Sequence, residues 1–597
     1  MRRFLTSNKV FWALLFVVIW ALSTWSFWLY KALDARWIIR FPAKWELGLD
    51  SGISGALAWL VEEAGFYFFS VRDLTRGIAA MLEAPYQFLR NLLIEGFSTG
   101  HGDAAVQYFP PLSWIAIIFC VVLIGRIARD WWLAGLVGAC FLYLAVFGQW
   151  ESAMITLASV LISVPIGVVG GLFLGIVAFK HEWVNIALRP ILDLMQTVPV
   201  FAYLVPILIL FGFGPVAALV ATVIYAMPPM VRITILALRG VPNEIIEAGK
   251  MAGCTRRQIL RKVIIPSAVP TLMVGVNQVI MLSLNMVIIA SMIGAGGLGF
   301  DVLASLRRLD IGAGIEAGLA IVVMAIALDR ASQAFSERKL STSLTGNFVQ
   351  RHPLGVSAVA VICLTLIAGT VVSWIQTYPE SLTLTTGSFW ADSMEWINVN
   401  FFDILEAVKV VILQWLLLPV KGFFTGIPWA LGIPAMGLIG WRIGGWKLGL
   451  MAALMMAFIA ASGLWPKAMV TIYLCVVSVF IATVIGVPLG IWAAEKPRAG
   501  RIILGLMDTL QTLPSFVYLI PVIMLFRVGD FSAMIAIVFY ALAPAVRYAA
   551  HGLREVPAQL IEAGLMSGCT SQQILRRIKL PLATPHMLLG LNQTTML

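Results

Sequence analysis

The charged side chains with the most regular spacing lie in two segments of nearly the same sequence. The first begins at Glu247 and reads EAGKMAGCTRRQILRKVIIP, and the second begins at Glu562 and reads EAGLMSGCTSQQILRRIKLP. They lie 315 residues apart (562 − 247), and 12 of the 20 aligned positions are identical. Neither copy contains a paired nucleophile and base, so the segments indicate binding rather than catalysis. We expect two surface loops that the same kind of partner grips.

Motifs for catalysis, nucleotides and metals do not appear elsewhere in a supporting context. No G-x-x-x-x-G-K-[ST] occurs, so no ATP-binding P-loop is predicted. Gly294–Gly299 satisfies the dinucleotide pattern but follows an apolar helix, which favours a helix end or close packing. The five histidines are scattered and the six cysteines form no C-x-x-C pair, so no metal site is expected. The chain is therefore predicted not to be an enzyme.

The rest of the sequence is membrane-like. Of the 597 residues, 60% are hydrophobic and 12% are charged, about half the charged fraction of a soluble domain. Apolar runs of about 20 residues, enough to cross roughly 30 Å of hydrocarbon, recur throughout. We predict an all-α polytopic membrane protein with about 15 spans present, or 16 if the second copy were complete. The net charge of +11 fits basic residues at cytoplasmic span ends, and no nucleic-acid partner is expected.

The predicted spans repeat in parallel. In the first half they lie near 10–30, 112–126, 131–148, 153–179, 188–213, 215–238, 267–293 and 311–328; in the second near 354–375, 426–440, 447–465, 468–494, 503–526, 531–549 and 582–597. Pairs such as Asp193 with Asp508 and Arg232 with Arg547 keep the 315-residue offset. Two parallel copies predict a pseudo-two-fold axis along the membrane normal. Basic residues place both charged segments and the N-terminus in the cytoplasm. Leu597 aligns with Leu282 inside a span, so we expect the second copy to continue.

Each charged segment predicts two short helices joined by a fixed bend. A proline suits the first helical turn, a glycine suits a left-handed helix end, and Thr-x-x-Gln suits a capping box. A second proline is expected to stop the second helix. These positions are Pro242, Gly253, Thr255, Gln258 and Pro266 in the first copy, and Pro557, Gly568, Thr570, Gln573 and Pro581 in the second.

The pattern EAG…G…I.LP resembles the EAA loop of type I ABC importer permeases. The wider match is to the glycine betaine/proline (quaternary amine) uptake branch, carried by 193–199 (DLMQTVP), 225–229 (YAMPP), 275–278 (GVNQ) and 292–299 (MIGAGGLG). This resemblance implies that a coupling helix in each loop docks on an ATPase. The implied coupling residues are Glu247, Ala248, Gly253, Glu562, Ala563 and Gly568.

The resemblance also implies two permease domains fused in one chain. We expect an N-terminal span with an interfacial or periplasmic extension (1–110), a first permease domain (111–330), a linker with a span and an interfacial segment (331–425), and an incomplete second permease domain (426–597). The implied partners are two copies of a cytoplasmic ABC ATPase, a periplasmic binding protein and the lipid bilayer, without a homodimer. ATP and Mg²⁺ would bind the ATPase, and this chain would hold no cofactor. The expected location is the bacterial inner membrane, in several passes.

Polar residues inside predicted spans are candidates to line a pathway, although helix–helix hydrogen bonds explain such residues slightly better. The candidates are Gln196, Tyr203, Asn277, Gln278, Gln511, Tyr518, Asn592 and Gln593. By the resemblance, the solute is glycine betaine, proline betaine, choline, carnitine or trimethylamine N-oxide. An ion-coupled secondary transporter of osmolytes and an osmotically gated channel are the alternatives, but they leave the paired loops unexplained. At the predicted outer turn, Arg527 and Asp530 replace Gly212 and Pro215, which suggests an asymmetric partner.

Overall fold

A computed structural model describes residues 9–33, 37, 41–62, 65–66, 69–99, 106–337, 353–512 and 515–596. Residues 338–352 of the predicted linker segment, Pro514 (the counterpart of Pro199) and Leu597 lie outside this range. The chain folds into two compact units. The larger unit comprises Trp59–Glu395 and Thr512–Pro521, and the smaller comprises Met1–Ala58, Trp396–Gln511 and Val522–Leu597.

The described part of the chain is almost entirely helical, as predicted. The first half contains α1 (Lys9–Leu33), α2 (Leu49–Glu62), α3 (Val71–Arg90), α4 (Trp114–Ala128), α5 (Trp131–Val146), α6 (Trp150–Lys180), α7 (Glu182–Thr197), α8 (Val200–Phe211), α9 (Pro215–Arg239), α10 (Asn243–Met251), α11 (Arg256–Gln258), α12 (Ile265–Ala290), α13 (Leu298–Arg308) and α14 (Ile311–Glu337). The second half contains α15 (Pro353–Gly369), α16 (Ser373–Gln376), α17 (Gly387–Ile412), α18 (Leu418–Thr425), α19 (Trp429–Gly444), α20 (Trp446–Ala461), α21 (Trp465–Glu495), α22 (Pro497–Thr512), α23 (Ser515–Phe526), α24 (Asp530–Arg554), α25 (Ala558–Met566), α26 (Ser571–Ile574) and α27 (Leu580–Met596).

The few strands form two antiparallel hairpins in the N-terminal extension. They are β1 (Gly65–Phe66) with β2 (Phe69–Ser70), and β3 (Phe97–Thr99) with β4 (Val106–Phe109). Helix α3 follows the first hairpin and begins at a capping box between Ser70 and Asp73. The sequence predicts helical stretches near 55–71 and 78–96. The first prediction is only partly correct, since α2 ends at Glu62 and the hairpin occupies the rest of the stretch, whereas α3 and the π-helical turn Asn91–Glu95 cover the second.

The two halves fold alike at the predicted offset. Helices α6, α9 and α12 pack against one another in the larger unit, and α21, α24 and α27 do so in the smaller unit. The bounds of α6 and α21, of α7 and α22, and of α9 and α24 differ by 315 residues at both ends. This correspondence confirms a parallel repeat of one helical plan.

Glycines allow the long helices of each half to approach closely. A Cβ atom on Gly175 of α6 would lie 2.5 Å from the Thr234 Cβ of α9. A Cβ atom on Gly490 of α21 would lie 2.6 Å from the Ala549 Cβ of α24. Small residues where helices meet are typical of membrane proteins, where packing rather than the hydrophobic effect holds helices together.

Six described helices are long and apolar enough to cross a membrane, and five shorter apolar helices accompany them. The long ones are Trp150–Lys180, Pro215–Arg239, Arg256–Val287, Ile311–Phe335, Trp465–Glu495 and Asp530–Arg554. The fold class, a polytopic all-α membrane protein with an internal repeat, is confirmed. The count of 15 spans stays a prediction. The span expected over 188–213 is not one straight helix, because α7 and α8 meet at 104°.

Buried carboxylates in the larger unit hold structure. Glu316 of α14 is 7% exposed and accepts hydrogen bonds from the Thr386 backbone N–H and from the Thr385 and Thr386 hydroxyls (3.2 and 2.9 Å). Asp329 is equally buried and accepts from the Gln333 amide at 2.9 and 3.0 Å. Partnered carboxylates of this kind avoid the cost of a bare buried charge.

Candidate functional site

The two charged segments form the same helix–bend–helix structure. Helices α10 and α25 are both nine residues long. Each ends at a glycine with positive φ, 77° at Gly253 and 74° at Gly568. The next residue returns its N–H to the helix, Cys254 to the Gly249 carbonyl at 3.1 Å and Cys569 to the Gly564 carbonyl at 3.0 Å. This is the left-handed helix end that the sequence predicts.

Capping boxes restart the chain after each bend. The Thr255 N–H donates to Gln258 Oε1 at 2.8 Å, and the Gln258 N–H donates to Thr255 Oγ1 at 3.4 Å. The Thr570 and Gln573 pair repeats both distances. The predicted capping boxes are therefore confirmed in both copies.

The prolines of these segments do not behave entirely as predicted. Pro242 and Pro557 are the N-cap residues of α10 and α25, one position before the first helical turn. Pro266 and Pro581 do not stop the second helix, which was the expectation. Instead π-helical turns over Ile259–Ile264 and Leu575–Lys579 lead directly into α12 and α27. A π turn bonds N–H groups five residues back, which gives the chain a route around the carbonyl that a proline ring would strike in an α-helix.

The predicted coupling residues lie on the exposed surface of these loops. Glu247, Ala248 and Gly253 are exposed, and so are their counterparts Glu562, Ala563 and Gly568. The intervening glycines are buried instead. A Cβ atom on Gly249 would lie 3.1 Å from Val263, and one on Gly564 would lie 2.5 Å from Ile578. These glycines bring each short helix against the helix that follows it.

Each short helix ends in an exposed methionine that was not among the residues predicted from the sequence. Met251 is 90% exposed and Met566 is 91% exposed. Ile245 and Leu560, one on each short helix, are also exposed (40% and 44%). Large apolar side chains exposed at equivalent positions suit a docking surface, where methionine adapts well to a partner. The signal was present, because this methionine is identical in both copies.

The second loop has a polar cluster that the first loop lacks. Glu555 lies just before α25. Its carboxylate oxygens are 3.1 Å from the Nε2 atom of His551 and 3.3 Å from the Nε2 atom of His586. The equivalent first-half residues are Leu236, Gly240 and Thr271. The two charged segments thus have the same backbone structure but differ in the side-chain contacts around them.

The break between α7 and α8 lies at Val198 and Pro199. Both residues are extended, with ψ of 129° and 140°, since proline removes a helical hydrogen bond and disfavours helix at the residue before it. The Tyr203 hydroxyl donates across the break to the Met195 carbonyl. The break places two predicted pathway residues, Gln196 and Tyr203, on either side of a bend.

Equivalent ion pairs tie the helix before the break to the helix that leads into the loop. The Arg232 guanidinium of α9 donates to the Asp193 carboxylate of α7. In the second half, Arg547 of α24 donates to Asp508 of α22. A further first-half pair joins Arg239 to Glu182 at 2.6 Å. Asp193 and Arg232 recur as Asp508 and Arg547 at the 315-residue offset. The sequence therefore shows that both residues are repeated, but it does not show that they touch.

The other predicted pathway residues differ in their exposure. Asn277 lies within α12 with its Oδ1 atom buried and without a hydrogen-bond partner, whereas Gln278 beside it is exposed. Gln196, Asn592 and Gln593 are also exposed, Gln511 is half-buried and Tyr518 is 7% exposed. A buried amide oxygen without a protein partner can still accept a hydrogen bond from a further polar group.

At the predicted outer turn, Asp530 does not offer a free charge. Its carboxylate forms an ion pair with Lys421 Nζ at 2.7 Å and accepts a hydrogen bond from the hydroxyl of the fully buried Tyr473. Asp530 therefore anchors α24 to α18 and α21. Arg527 is exposed and adopts a φ of 65°, close to the 76° of its counterpart Gly212. The prediction that this turn suits an asymmetric partner remains untested, and Arg527 is the more exposed of its two charges.

Long apolar helices in a parallel repeat, with matching loops at the same end of each half, define a multi-pass membrane transport protein. The sequence matches the family described as "Binding-protein-dependent transport system inner membrane component" over residues 167–384 and 486–596. The chain belongs to this family of ABC importer permeases, and it is an inner-membrane transport permease rather than an enzyme. Permeases of this family work in general with an ATPase and a substrate-binding protein.

Two relatives align with most of the chain, and a third aligns with about half of it. It is 37% identical over 542 residues to the trimethylamine N-oxide transport system permease protein TmoV of Pelagibacter ubique, covering 87% of this chain and 75% of the relative. It is 36% identical over 581 residues to the TmoV protein of Ruegeria pomeroyi, covering 95% and 85%. The glycine betaine/proline betaine transport system permease protein ProW of Escherichia coli is 49% identical over 294 residues, covering 48% and 74%.

Proposed function

We propose that this chain is the membrane pathway of an ATP-driven importer for small trimethylated amines, with trimethylamine N-oxide as the leading solute. The observation that carries the proposal is the pair of coupling loops, which share backbone geometry and exposed residues. The relatives that align with nearly the whole chain are named as trimethylamine N-oxide permeases. The relative named for glycine betaine and proline betaine aligns with about half of it, so betaines are the second solutes to test.

The coupling loops are proposed to receive one ATPase each. Glu247 with Ala248 and Glu562 with Ala563 would contact the ATPase, together with the exposed Met251 and Met566. Gly253 and Gly568 set the bend that presents these side chains. ATP and Mg²⁺ would bind to the ATPase, and a periplasmic binding protein would deliver solute at the opposite face. Since both permease domains are in one chain, a second copy of the chain is not required.

The proposed pathway uses the break between α7 and α8. Phe201 is 46% exposed beside the break, and Tyr203 is held across it by its hydroxyl. Aromatic faces attract trimethylammonium groups by cation–π interaction. The unpartnered Asn277 oxygen and the exposed Gln196 and Gln278 side chains would supply polar contacts, and Gln511, Tyr518, Asn592 and Gln593 would do so in the second half.

The ion pairs provide a direct route from the loops to the break. In the first half, α9 continues through Gly240 into α10, while Arg232 and Arg239 hold α7 to α9. A displacement of the loop would therefore carry α9 and α7 together and move the break. We propose that this movement opens and closes the pathway.

Exchanging the charges of the ion pair tests this mechanical link. Arg232→Asp is expected to lower ATP-driven uptake about tenfold or more, because it sets two carboxylates beside each other and releases α7 from α9. Adding Asp193→Arg is expected to restore a large part of the uptake, since it re-forms the pair with reversed polarity. Uptake is measured in proteoliposomes at equal protein content. If the double variant is no better than Arg232→Asp alone, the pair is not the link.

The function itself is tested by solute uptake. We expect ATP-dependent accumulation of labelled trimethylamine N-oxide in proteoliposomes that contain this chain with its ATPase and binding protein. Labelled glycine betaine, supplied under the same conditions, ranks the second solute class. Accumulation should require ATP on the side of the membrane where the ATPase is bound. It should persist when ionophores collapse the ion gradients.

The control omits the binding protein, which should remove the uptake of both solutes. Accumulation without ATP that follows a sodium or proton gradient would overturn the proposal in favour of an ion-coupled secondary transporter. Uptake of neither solute, with ATP hydrolysis intact, would reject the trimethylated amines while leaving the ABC assignment in place.

A further inference from the structure

We propose that a cavity between α5 and α14 binds the headgroup of an anionic phospholipid. The cavity measures about 390 Å³ and lies within the larger unit, in the lower part of the range of about 300–1,000 Å³ for ligand sites. Its walls include Arg129, Asp130 and Trp132 at the start of α5, and Arg330 near the end of α14. None of its lining residues belongs to the proposed coupling loops or to the proposed pathway residues.

The charge balance of the cavity favours an anion. Two guanidinium groups line it with one carboxylate, that of Asp130. Asp130 accepts the Leu133 N–H at 2.8 Å as the cap of α5. Its contact with Arg129 is long, at 3.6 Å, and leaves the Arg129 side chain 65% exposed, so this guanidinium can still bind an anion. The nearby Asp329 is bound by the Gln333 amide. Among the described residues, Arg330 forms no ion pair that would compete for its guanidinium.

The position of the cavity favours a lipid over a free anion. It lies where α4 and α5, two apolar helices, are joined by a tight polar turn. Trp131 and Trp132 are 67% and 82% exposed there, and the Arg126 guanidinium lies 5.2 Å from the Trp131 ring. Exposed tryptophans and arginines at helix ends mark the headgroup level of a bilayer.

The lining joins basic and apolar groups, as a lipid requires. Arg129 and Arg330 suit a phosphate, since guanidinium groups bind phosphate oxygens in a bidentate manner. Leu133, Leu136 and Trp132 provide an apolar wall for the glycerol and the first part of an acyl chain. Two guanidinium groups disfavour the cationic end of a zwitterionic headgroup, so the ligand is anionic, with phosphatidylglycerol as its simplest form.

The test is native mass spectrometry of the purified transporter complex titrated with phosphatidylglycerol or phosphatidylcholine. We expect the wild type to retain phosphatidylglycerol preferentially. Arg129→Gln with Arg330→Gln is expected to weaken it roughly thirtyfold, since each basic group near a membrane surface contributes about a factor of five. The control variant Arg307→Gln with Arg308→Gln removes the same charge from exposed positions outside the cavity and is expected to bind as the wild type does.

A second measurement separates the two sources of phosphate. Thermal stabilisation of the wild-type complex by phosphatidylglycerol should exceed that by the same concentration of inorganic phosphate, and Trp132→Gln should reduce only the former. Equal stabilisation by inorganic phosphate would identify an anion site and overturn the lipid assignment. Equal binding of phosphatidylcholine, or equal loss in the control variant, would overturn it as well.

Discussion

Reversing the charge of both coupling loops, by Glu247→Arg with Glu562→Arg, is expected to separate the ATPase from the permease. Both glutamates are exposed on the nine-residue helices α10 and α25. An ATPase surface that binds these carboxylates would present basic groups to them. The introduced arginines would then lie against those basic groups and repel them. Charge pairs at the centre of an interface change binding by about 2–5 kcal/mol. Uptake should fall by at least tenfold, and the ATPase should no longer co-purify with the chain.

The matched control reverses two exposed glutamates elsewhere, by Glu83→Arg with Glu395→Arg. It changes the net charge equally and is expected to keep both the ATPase and the uptake. A double loop variant that retains its ATPase but loses uptake would show that the loops transmit movement without providing affinity. Retention of both activities would show that the ATPase docks elsewhere.

The loops could be predicted closely because their information is local. A helix end at Gly253 and a capping box at Thr255 depend on neighbours within five residues, so the sequence specifies both. The register between the halves was equally predictable, since the same residue types recur at one spacing. The side of each loop that faces a partner was only partly predictable. The exposure of Met251 depends on the packing of Gly249 against Val263, which no local pattern reveals.

Prolines mark where the sequence-based prediction was wrong. Val198 and Pro199 break a helix in the middle of an apolar stretch, although hydropathy alone predicts one continuous span there. The residue before a proline favours an extended backbone, so the break could have been predicted by weighing dihedral preference above hydropathy. Pro266 shows the reverse case. The helix continues through Pro266 because the π turn before it accommodates the proline ring. The packing of the whole helix, rather than the local sequence, favours this arrangement.

Long-range contacts were beyond the sequence altogether. Asp193 and Arg232 were recognisable as corresponding to Asp508 and Arg547, but a single sequence does not show that the first two touch. The same holds for Asp530, whose charge looked free at an outer turn. Lys421 lies 109 residues before it in the chain, so the partner becomes visible only when the helices are packed.

Enlarging the glycines where the long helices meet, by Gly175→Leu with Gly490→Leu, is expected to destabilise both halves strongly. A side chain at Gly175 would meet Thr234 and, at 3.1 Å, the Val231 carbonyl. Because part of the obstacle is backbone, the helices must separate to admit it. Overpacking costs about 1–3 kcal/mol at each site, so the melting temperature of the purified complex should fall by several degrees or more.

Gly135→Leu with Gly505→Leu is the matched control, since a Cβ atom at either position meets nothing within 4 Å. It is expected to leave the melting temperature unchanged or slightly raised, because leucine favours a helix over glycine by about 0.5–1 kcal/mol. A subtler pair isolates the contact itself. Gly486→Ala brings a methyl group to 2.6 Å from the Ala545 Cβ, and Ala545→Gly removes that obstacle. The double variant should therefore have a higher melting temperature than Gly486→Ala alone. If it does not, the glycine is required for its backbone conformation rather than for close packing.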